Sequence, residues 1–389
     1  MEYAEFGLPV KSFVTFDDFA ETKQMTKHNR SLAAYYERFI YENGTISYRH
    51  RVDRIRNCGN SYVSDYYPKQ KARYIKSAFY CHDKFCPFCQ KGLSQARQQK
   101  YAPLLAELGK QYTLCHLTVT VEDPGRLDFP KTVHRMYTKF KYFTRILSGN
   151  KKIAGVDFLQ YGYAGVLRAT EVTTKPDTTL HPHFHCILAL KKGITFPGSH
   201  INQFSFKRDD PEVYAHSDFE ILLQKVWYLV YNGIKVTKES IAELKQGYSC
   251  RCIPFEDNKF HEVFKYCLKG LVKGDEFNLE YEDFEAIEIG LCGRHPLQGY
   301  GCFWQIRDSS KDTFLAVESD CVQKVQEVLT YLRETEVPIH ECVNLDKVMS
   351  QMKTKGVLCF SKFNIHKVLV QMVLERRREE QLCEEKKNE

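Results

Sequence analysis

Over residues 112–122, apolar side chains such as Leu117 and Val119 alternate with polar ones such as Thr118 and Thr120. Successive side chains of a strand point to opposite faces of its sheet. The alternation therefore predicts a half-buried β-strand in this part of the chain.

Two further strand segments, near 164–173 and 182–190, flank a loop that contains Pro176 and Asp177. Proline and aspartate are typical turn residues. Two short strands joined by such a loop favour a β-hairpin.

Apolar residues at intervals of three and four positions predict helices in most of the other segments. These segments are 86–109, 131–147, 218–231, 237–246, 258–269, 320–334 and 361–383. Strands followed by helices, mostly with short loops, indicate an α+β layer fold.

The same patterns divide the chain into four segments. They are a basic N-terminal region (1–57), a cysteine-rich segment with a helix (58–110), the main α+β domain (111–309) and a helical C-terminal appendage (310–389). The appendage is predicted from the helical spacing of Val322, Val325, Leu329 and Leu332, and its charge run at 376–380 is interpreted as a solvated helix end.

Composition excludes a disordered chain, because 43% of the 389 residues are hydrophobic and only 27% are charged. The excess of 56 basic over 49 acidic residues permits a polyanionic partner. The N-terminus is acidic where a secretory signal needs positive charge, and no run of about 18 apolar residues occurs. We therefore expect a cytoplasmic protein with no membrane partner.

Three histidines fall on one face of the second hairpin strand. His181, His183 and His185 alternate with Pro182 and Phe184. Neutral imidazoles on one strand face can form a preformed metal site, so this pattern predicts a divalent metal held by His183 and His185.

Glu171 is the predicted third ligand. If the hairpin is centred on Asp177, Glu171 lies directly across from His183, and cross-strand neighbours are about 4.5–5.5 Å apart at Cβ. His181 remains a rival third ligand, because the register is an assumption at this point. Two histidines and a carboxylate with open positions suit Mg²⁺ or Mn²⁺ that must also bind a phosphate oxygen.

A tyrosine lies in the predicted helix 258–269. Glu262, Tyr266 and Lys269 are spaced i, i+4 and i+7, which places them on one helix face. A tyrosine becomes a useful nucleophile beside a cation and a metal that polarises the phosphate. Lys269 can supply that charge, and Glu262 can activate a water for a later hydrolytic step.

Fifteen cysteines without a secretory signal indicate metal binding rather than a disulfide framework. The Cys86/Cys89 pair has the CxxC spacing of a zinc knuckle, and Cys58 and Cys81 complete a predicted structural Cys₄ zinc site. Cys58 is distant in sequence, so His82 could replace a thiolate.

Cations around this cluster are candidate phosphate contacts. They are Arg49, Arg51, Arg54 and Arg56 before it, and Lys84, Lys91, Arg97 and Lys100 within and after it.

Together these segments resemble the HUH endonuclease superfamily, and especially the rolling-circle plasmid replication initiators with a single catalytic tyrosine. The motifs that carry the resemblance occur in the family's order. They are the cysteines Cys58, Cys81, Cys86 and Cys89, the strand 116–120, the pair His183 and His185 preceded by the strand 168–173, and the segment from Glu262 through Tyr266 to Lys269. The resemblance covers roughly 55–275.

The resemblance implies a ferredoxin-like or RRM-like nuclease domain, with helices packed on a central antiparallel sheet of about five strands. It also implies that Tyr266 attacks a phosphodiester in a plasmid double-strand origin, stays on the 5′-phosphate and leaves a 3′-OH primer. Glu262 would help to end the round. Expected partners are origin DNA, as a single strand or an extruded hairpin, and a host helicase with the replication machinery.

Three alternatives stay open. One is a mobilisation relaxase or single-strand transposase of the same superfamily. Another is a non-catalytic, zinc-dependent DNA-binding regulator. The third is a metal-dependent phosphoesterase that uses water alone.

Overall fold

The computed structural model describes residues 13–153, 155–201, 215–245, 247–255, 260–264, 268–269, 272–273, 276–277, 279–306 and 319–361. These residues group into two compact units. The terminal unit takes its residues from 1–96, 272–277 and 310–389, and the central unit takes its residues from 97–271 and 278–309.

Strands and helices are numbered along the chain. The strands are β1 Phe13–Val14, β2 Ser61–Tyr67, β3 Ala72–Ala78, β4 Tyr112–Thr120, β5 Gly165–Thr174, β6 Leu180–Lys191, β7 Cys250–Pro254, β8 Leu268–Lys269, β9 Val272–Lys273, β10 Glu276–Phe277, β11 Leu297–Gly301, β12 Ile339–Asn344 and β13 Leu358–Ser361. The helices are α1 Phe16–Thr26, α2 Asn29–Asn43, α3 Arg49–Asn57, α4 Pro87–Gln111, α5 Phe129–Leu147, α6 Asp218–Asn232, α7 Lys238–Glu243, α8 His261–Phe264, α9 Tyr281–Leu291, α10 Ser319–Thr335 and α11 Leu345–Lys355.

The central unit is built on a sheet with the strand order β11-β5-β6-β4-β7, in which all neighbours are antiparallel. The short strand β8 runs parallel to β5 and pairs with it beyond the part that β11 covers. The predicted α+β fold with a central antiparallel sheet is therefore confirmed, as is the predicted hairpin, which is β5–β6.

Side chains of β6 alternate between two helical layers. Cys186 and Leu188 pack in one core cluster with Phe140 of α5 and Trp227 of α6. Ile187 and its odd-numbered neighbours face a second cluster, which α4 and α8 cover. The sheet is thus apolar on both faces, and its polar histidines occupy one end of the second face.

The terminal unit has a five-stranded sheet with the order β1-β13-β3-β2-β12. Strand β13 is parallel to β3, and the other pairs are antiparallel. Leu345 and Val348 of α11 pack on one side of the sheet with Phe19 of α1, and Leu329 and Leu332 of α10 pack in a separate cluster.

The prediction of a purely helical appendage over 310–389 is wrong for its described residues. Helix α10 is present, but residues 339–344 and 358–361 form β12 and β13. Their partners β2 and β3 are more than 250 residues away in sequence. Local periodicity does not reveal so distant a pairing. The predicted helix at 361–383 lies outside the described residues, apart from Ser361 at the end of β13.

None of the helices in the described part of the chain combines the length and apolar character that crossing a bilayer requires.

Candidate metal centre and active site

Glu171 on β5 lies directly opposite His183 on β6, which is the register that a hairpin centred on Asp177 predicts. Two atom pairs join the strands: Glu171 Oε1 is 3.3 Å from His183 Nε2, and Glu171 Oε2 is 3.4 Å from His185 Nε2. The two Nε2 atoms are 3.2 Å apart. Three donor atoms therefore converge on one point of the sheet.

The chemistry of this donor set fits a divalent cation. Two imidazole nitrogens and a carboxylate oxygen bind at about 2.0–2.2 Å from such an ion, so neighbouring ligands lie about 3 Å apart. The three distances are close to that value. Two histidines with one carboxylate also leave coordination positions for a phosphate oxygen.

Burial and hydrogen bonding act in opposite directions on the carboxyl group of Glu171, which is 2% exposed. Burial raises its pKa, but the hydrogen bonds from His183 and His185 outweigh that effect and hold the pKa well below the usual range. Glu171 is therefore ionised at neutral pH and can act as a metal ligand.

A contact at Nδ1 orients the ring of each metal-site histidine. His183 Nδ1 lies 3.2 Å from the carbonyl oxygen of His181, to which its N–H donates. His185 Nδ1 lies 2.9 Å from His116 Nε2 on β4, and the two rings stack at 5.1 Å. When an ion binds, a proton on each Nδ1 leaves both Nε2 lone pairs for the metal, which then takes the place of the Nε2–H groups that face Glu171.

His181 lies on the predicted face but makes a different contact. Its Nδ1 is hydrogen bonded to the carboxylate of Asp123, which also pairs with Lys175. The group of converging ligand atoms contains Glu171, His183 and His185 and not His181. The geometry thus favours Glu171 over its rival as the third ligand.

The sequence pattern does not indicate Asp123 or the role of His116. His116 was part of a recognised motif, but its contact with His185 crosses from β4 to β6. Only the strand order of the folded sheet brings these two side chains together.

The predicted tyrosine helix is shorter than its spacing indicates. Helix α8 is described over His261–Phe264, and Leu268 and Lys269 form β8 beside Val172 and Thr173 of β5. The expectation that Lys269 shares a helix face with Glu262 is therefore wrong, because pairing with the open edge of β5 supplies the backbone of β8 with sheet hydrogen bonds.

Tyr266 lies outside the described residues, and the structure describes the backbone but not the side chains of Glu262 and Lys269. The flanking residues are placed. Phe264 packs in the second core cluster, and Thr173 lies between Lys269 on one side and His181 on the other. Lys269, the last residue of β8, therefore lies on the neighbouring strand beside Thr173. Thr173 is two residues along β5 from Glu171.

The four predicted cysteines form a buried cluster in the terminal unit. All four sulfur atoms lie within 4.8 Å of one another. Cys58 Sγ is 3.7 Å from Cys86 Sγ and 3.4 Å from Cys89 Sγ, and Cys81 Sγ is 3.6 Å from Cys89 Sγ. Sulfurs bound tetrahedrally to zinc at about 2.3 Å lie about 3.8 Å apart, so this cluster can hold Zn²⁺.

Backbone groups support the cluster. The N–H of His82 donates to Cys89 Sγ at 3.3 Å, and the N–H of Asp83 donates to Cys81 Sγ at 3.4 Å. Such bonds stabilise thiolates. His82 contributes its backbone, and the imidazole is not among the converging ligand atoms, so Cys58 is the fourth member.

The candidate DNA-binding cations do not form one exposed set. Arg97 is 5% exposed, and half-buried Arg51 donates to Tyr36 at 3.1 Å and lies 3.8 Å from Asp83. Burial keeps Arg97 from meeting phosphate, so that expectation is wrong, whereas 35% of the Arg51 side chain is exposed and its predicted phosphate contact stays a prediction.

The other predicted phosphate contacts differ from one another. Arg49 and Lys100 are exposed, whereas Arg54 donates to the carbonyl of Tyr80 and Arg56 pairs with Glu37 at 2.6 Å. Lys84 approaches the ring of Phe85 at 5.5 Å. The side chain of Lys91 lies outside the described residues.

Fold and sites together define an α+β protein with a candidate divalent-metal centre on an antiparallel sheet and a separate candidate zinc cluster. The family model described as "Replication protein" (Rep_1) matches residues 72–348, and the chain belongs to this replication protein family.

Two curated relatives agree with that assignment. "Protein rep" of Lentilactobacillus hilgardii is 22% identical over 291 residues, which are 72% of this chain and 82% of the relative. "Protein rep" of Lactiplantibacillus plantarum is 22% identical over 266 residues, which are 67% of this chain and 75% of the relative. No solved structure matches the chain.

Proposed function

We propose that this replication protein is a plasmid replication initiator of the HUH endonuclease type. It would bind the double-strand origin and nick one strand, with Tyr266 forming a 5′-phosphotyrosine link. The released 3′-OH would prime rolling-circle replication. Membership of the replication protein family supports the process, and the metal centre supports the chemistry.

The convergence of Glu171, His183 and His185 is the observation that carries the proposal. A buried carboxylate and two imidazoles that converge from neighbouring strands form the kind of donor set that holds a divalent cation. Mg²⁺ or Mn²⁺ held by these residues would withdraw charge from a non-bridging phosphate oxygen.

The segment around Tyr266 supports the choice of nucleophile. Phe264 is anchored in the core over the metal-bearing face, and Leu268 pairs with Val172, the neighbour of Glu171. Only three residues lie between Phe264 and Leu268, and each residue extends the chain by at most about 3.6 Å. This short connection supports Tyr266 as the nucleophile.

In the proposed reaction the Tyr266 oxygen attacks the phosphorus and loses its proton. The bond from phosphorus to the 3′-oxygen breaks, and that oxygen takes up a proton to become the primer hydroxyl. Lys269 would favour the phenolate, and Glu262 would activate the water that attacks in the terminating cleavage. Positioning and charge neutralisation supply most of the rate in such transfers.

The cysteine cluster has a structural role in this proposal. Four thiolates fill the coordination sphere of Zn²⁺ and leave no open position for substrate. Origin DNA, as a single strand or an extruded hairpin, is the proposed substrate, and a host helicase with the replication machinery would extend the primer.

An adduct assay tests the proposal. The protein is mixed with a labelled single-stranded origin oligonucleotide and Mg²⁺ or Mn²⁺, and covalent products are located by mass spectrometry. We expect an adduct on Tyr266 that Tyr266→Phe abolishes and that the matched exposed control Tyr41→Phe retains.

The alternatives predict other outcomes. Cleavage that survives Tyr266→Phe indicates a phosphoesterase that uses water. Tight binding without cleavage of any origin sequence indicates a DNA-binding regulator. Adduct formation on a transfer origin or a transposon end, but not on a replication origin, indicates a relaxase or a transposase.

A further inference from the structure

Helix α5 is strongly basic. Between Phe129 and Leu147 it carries five lysines and arginines and no acidic residue, and two further lysines follow in the next turn. These cations are Lys131, Arg135, Lys139, Lys141, Arg145, Lys151 and Lys152. Within the described part of the chain, no carboxylate lies within ion-pair distance of any of them.

A pocket of about 670 Å³ opens beside this helix. Four lysines line it, namely Lys139, Lys151, Lys152 and Lys235, against the single carboxylate of Glu239. Its walls also include apolar side chains from three segments, namely Ile153, Val230, Ile234 and Val236. The ring of Tyr142, which is 37% exposed, forms part of the lining.

The pocket is separate from the metal centre. Helix α5 packs through Phe140 and Phe143 on the sheet face that carries Cys186 and Leu188. His183 and His185 point to the opposite face, because side chains alternate along β6. A ligand in the pocket is therefore divided from the metal centre by the thickness of the sheet.

We propose that the pocket and the basic face of α5, together the α5 surface, bind single-stranded DNA. Lysine ammonium groups attract phosphates, and an aromatic ring beside an apolar floor accepts an unstacked base. In a duplex the bases are stacked inside and do not reach such a floor. The α5 surface would hold a strand other than the segment being cleaved, since the metal centre is on the other face.

Equilibrium binding without metal tests this inference separately from nicking. The full-length protein is titrated into a fluorescein-labelled 20-nucleotide oligothymidine in EDTA, and anisotropy is followed over a series of salt concentrations. The test variant is Lys151→Gln/Lys152→Gln/Lys235→Gln, and the matched control removes three exposed lysines elsewhere, as Lys110→Gln/Lys353→Gln/Lys355→Gln.

We expect the test variant to bind about tenfold more weakly or worse. The slope of log Kd against log salt should fall by about 2, since each phosphate contact on a single strand contributes about 0.7. Tyr142→Ala should weaken binding by about fivefold or more with little change in slope, because stacking is not ionic. The control should differ little from the wild type.

Equal affinity and slope for the test variant and the control would overturn the inference. So would a 20-base-pair duplex that loses as much affinity as the single strand in the test variant, because the α5 surface would then be a general duplex contact. The test variant should still form the Tyr266 adduct at saturating DNA. Failure of the adduct assay in the wild type would contradict the nicking proposal and leave this binding result unaffected.

Discussion

His116 is the residue whose effect on the metal centre is most indirect. It is not among the converging ligand atoms, but its Nε2 lies 2.9 Å from Nδ1 of His185. A partner of this kind fixes the ring and the tautomer of a metal-binding histidine.

We expect His116→Phe to weaken Mn²⁺ binding by about 10- to 100-fold, because the ring remains but its hydrogen bond to His185 is lost. Titration calorimetry or the electron paramagnetic resonance signal of free Mn²⁺ measures the affinity. His134→Phe on the exposed side of α5 is the matched control. Unchanged affinity in His116→Phe would show that the hydrogen bond does not position His185.

The identity of the third ligand gives a second prediction at this scale. Glu171→Gln keeps the shape of the side chain but removes the charge that His183 and His185 face. We expect it to reduce Mn²⁺ affinity by about tenfold or more, whereas His181→Gln should have a much smaller effect. The reverse order would identify His181 as the ligand.

Contacts between residues that are close in sequence could be predicted. The register of Glu171 and His183 follows from a short hairpin loop, because turn length fixes strand pairing. Asp123 and His116 lie on segments that reach β6 only through the folded sheet, so their contacts with His181 and His185 could not be predicted.

At the scale of elements, the cysteine cluster joins three segments that are separate along the chain. Cys58 follows α3, Cys81 follows β3, and Cys86 and Cys89 lie at the start of α4. Four thiolate bonds to one ion would fix these ends relative to one another.

We expect Cys58→Ser to reduce bound zinc from about one ion per chain to well below that, and to lower the midpoint of thermal unfolding. Elemental analysis and calorimetry measure the two quantities. Cys292→Ser, at an exposed cysteine outside the cluster, should retain both. Full zinc occupancy in Cys58→Ser would mean that another group, such as His82, completes the site.

The segment after α8 shows that helical spacing in a sequence does not always produce a helix. Residues 258–269 have helical spacing, but an unpaired edge of β5 competes for the same residues. Leu268 and Lys269 pair with β5 as a strand, where the spacing predicts the end of the helix. The spacing alone does not reveal that edge.

For the whole molecule, the division into two compact units predicts that each unit is stabilised by its own buried side chains. Leu329 of α10 is 1% exposed in the terminal unit, and Leu223 of α6 is fully buried in the central unit. Truncating either side chain to alanine should cost about 2–5 kcal/mol of the free energy of unfolding.

We expect Leu329→Ala to increase amide hydrogen exchange in β1–β3, β12 and β13, with the central sheet still protected. Leu223→Ala should have the opposite pattern. Leu127→Ala, at a side chain that is 97% exposed, is the control. Uniform loss of protection in either variant would show that the chain unfolds as one cooperative body.

The order of the segments along the chain predicted four consecutive domains, and the structure departs from this at the level of the whole chain. Residues 319–361 do not form a body of their own, since β12 and β13 pair with β2 and β3. The helical spacing predicted α10, but local patterns could not show that β12 and β13 pair with β2 and β3.

The closing of the terminal sheet by the last described strands has a consequence for synthesis. A ribosome has made every described residue of the central unit by residue 306, whereas β13 is complete only at residue 361. A prematurely terminated chain would therefore carry both a finished metal centre and an incomplete sheet with open edges, and such edges recruit other strands. Truncated products should aggregate or be degraded before they meet DNA.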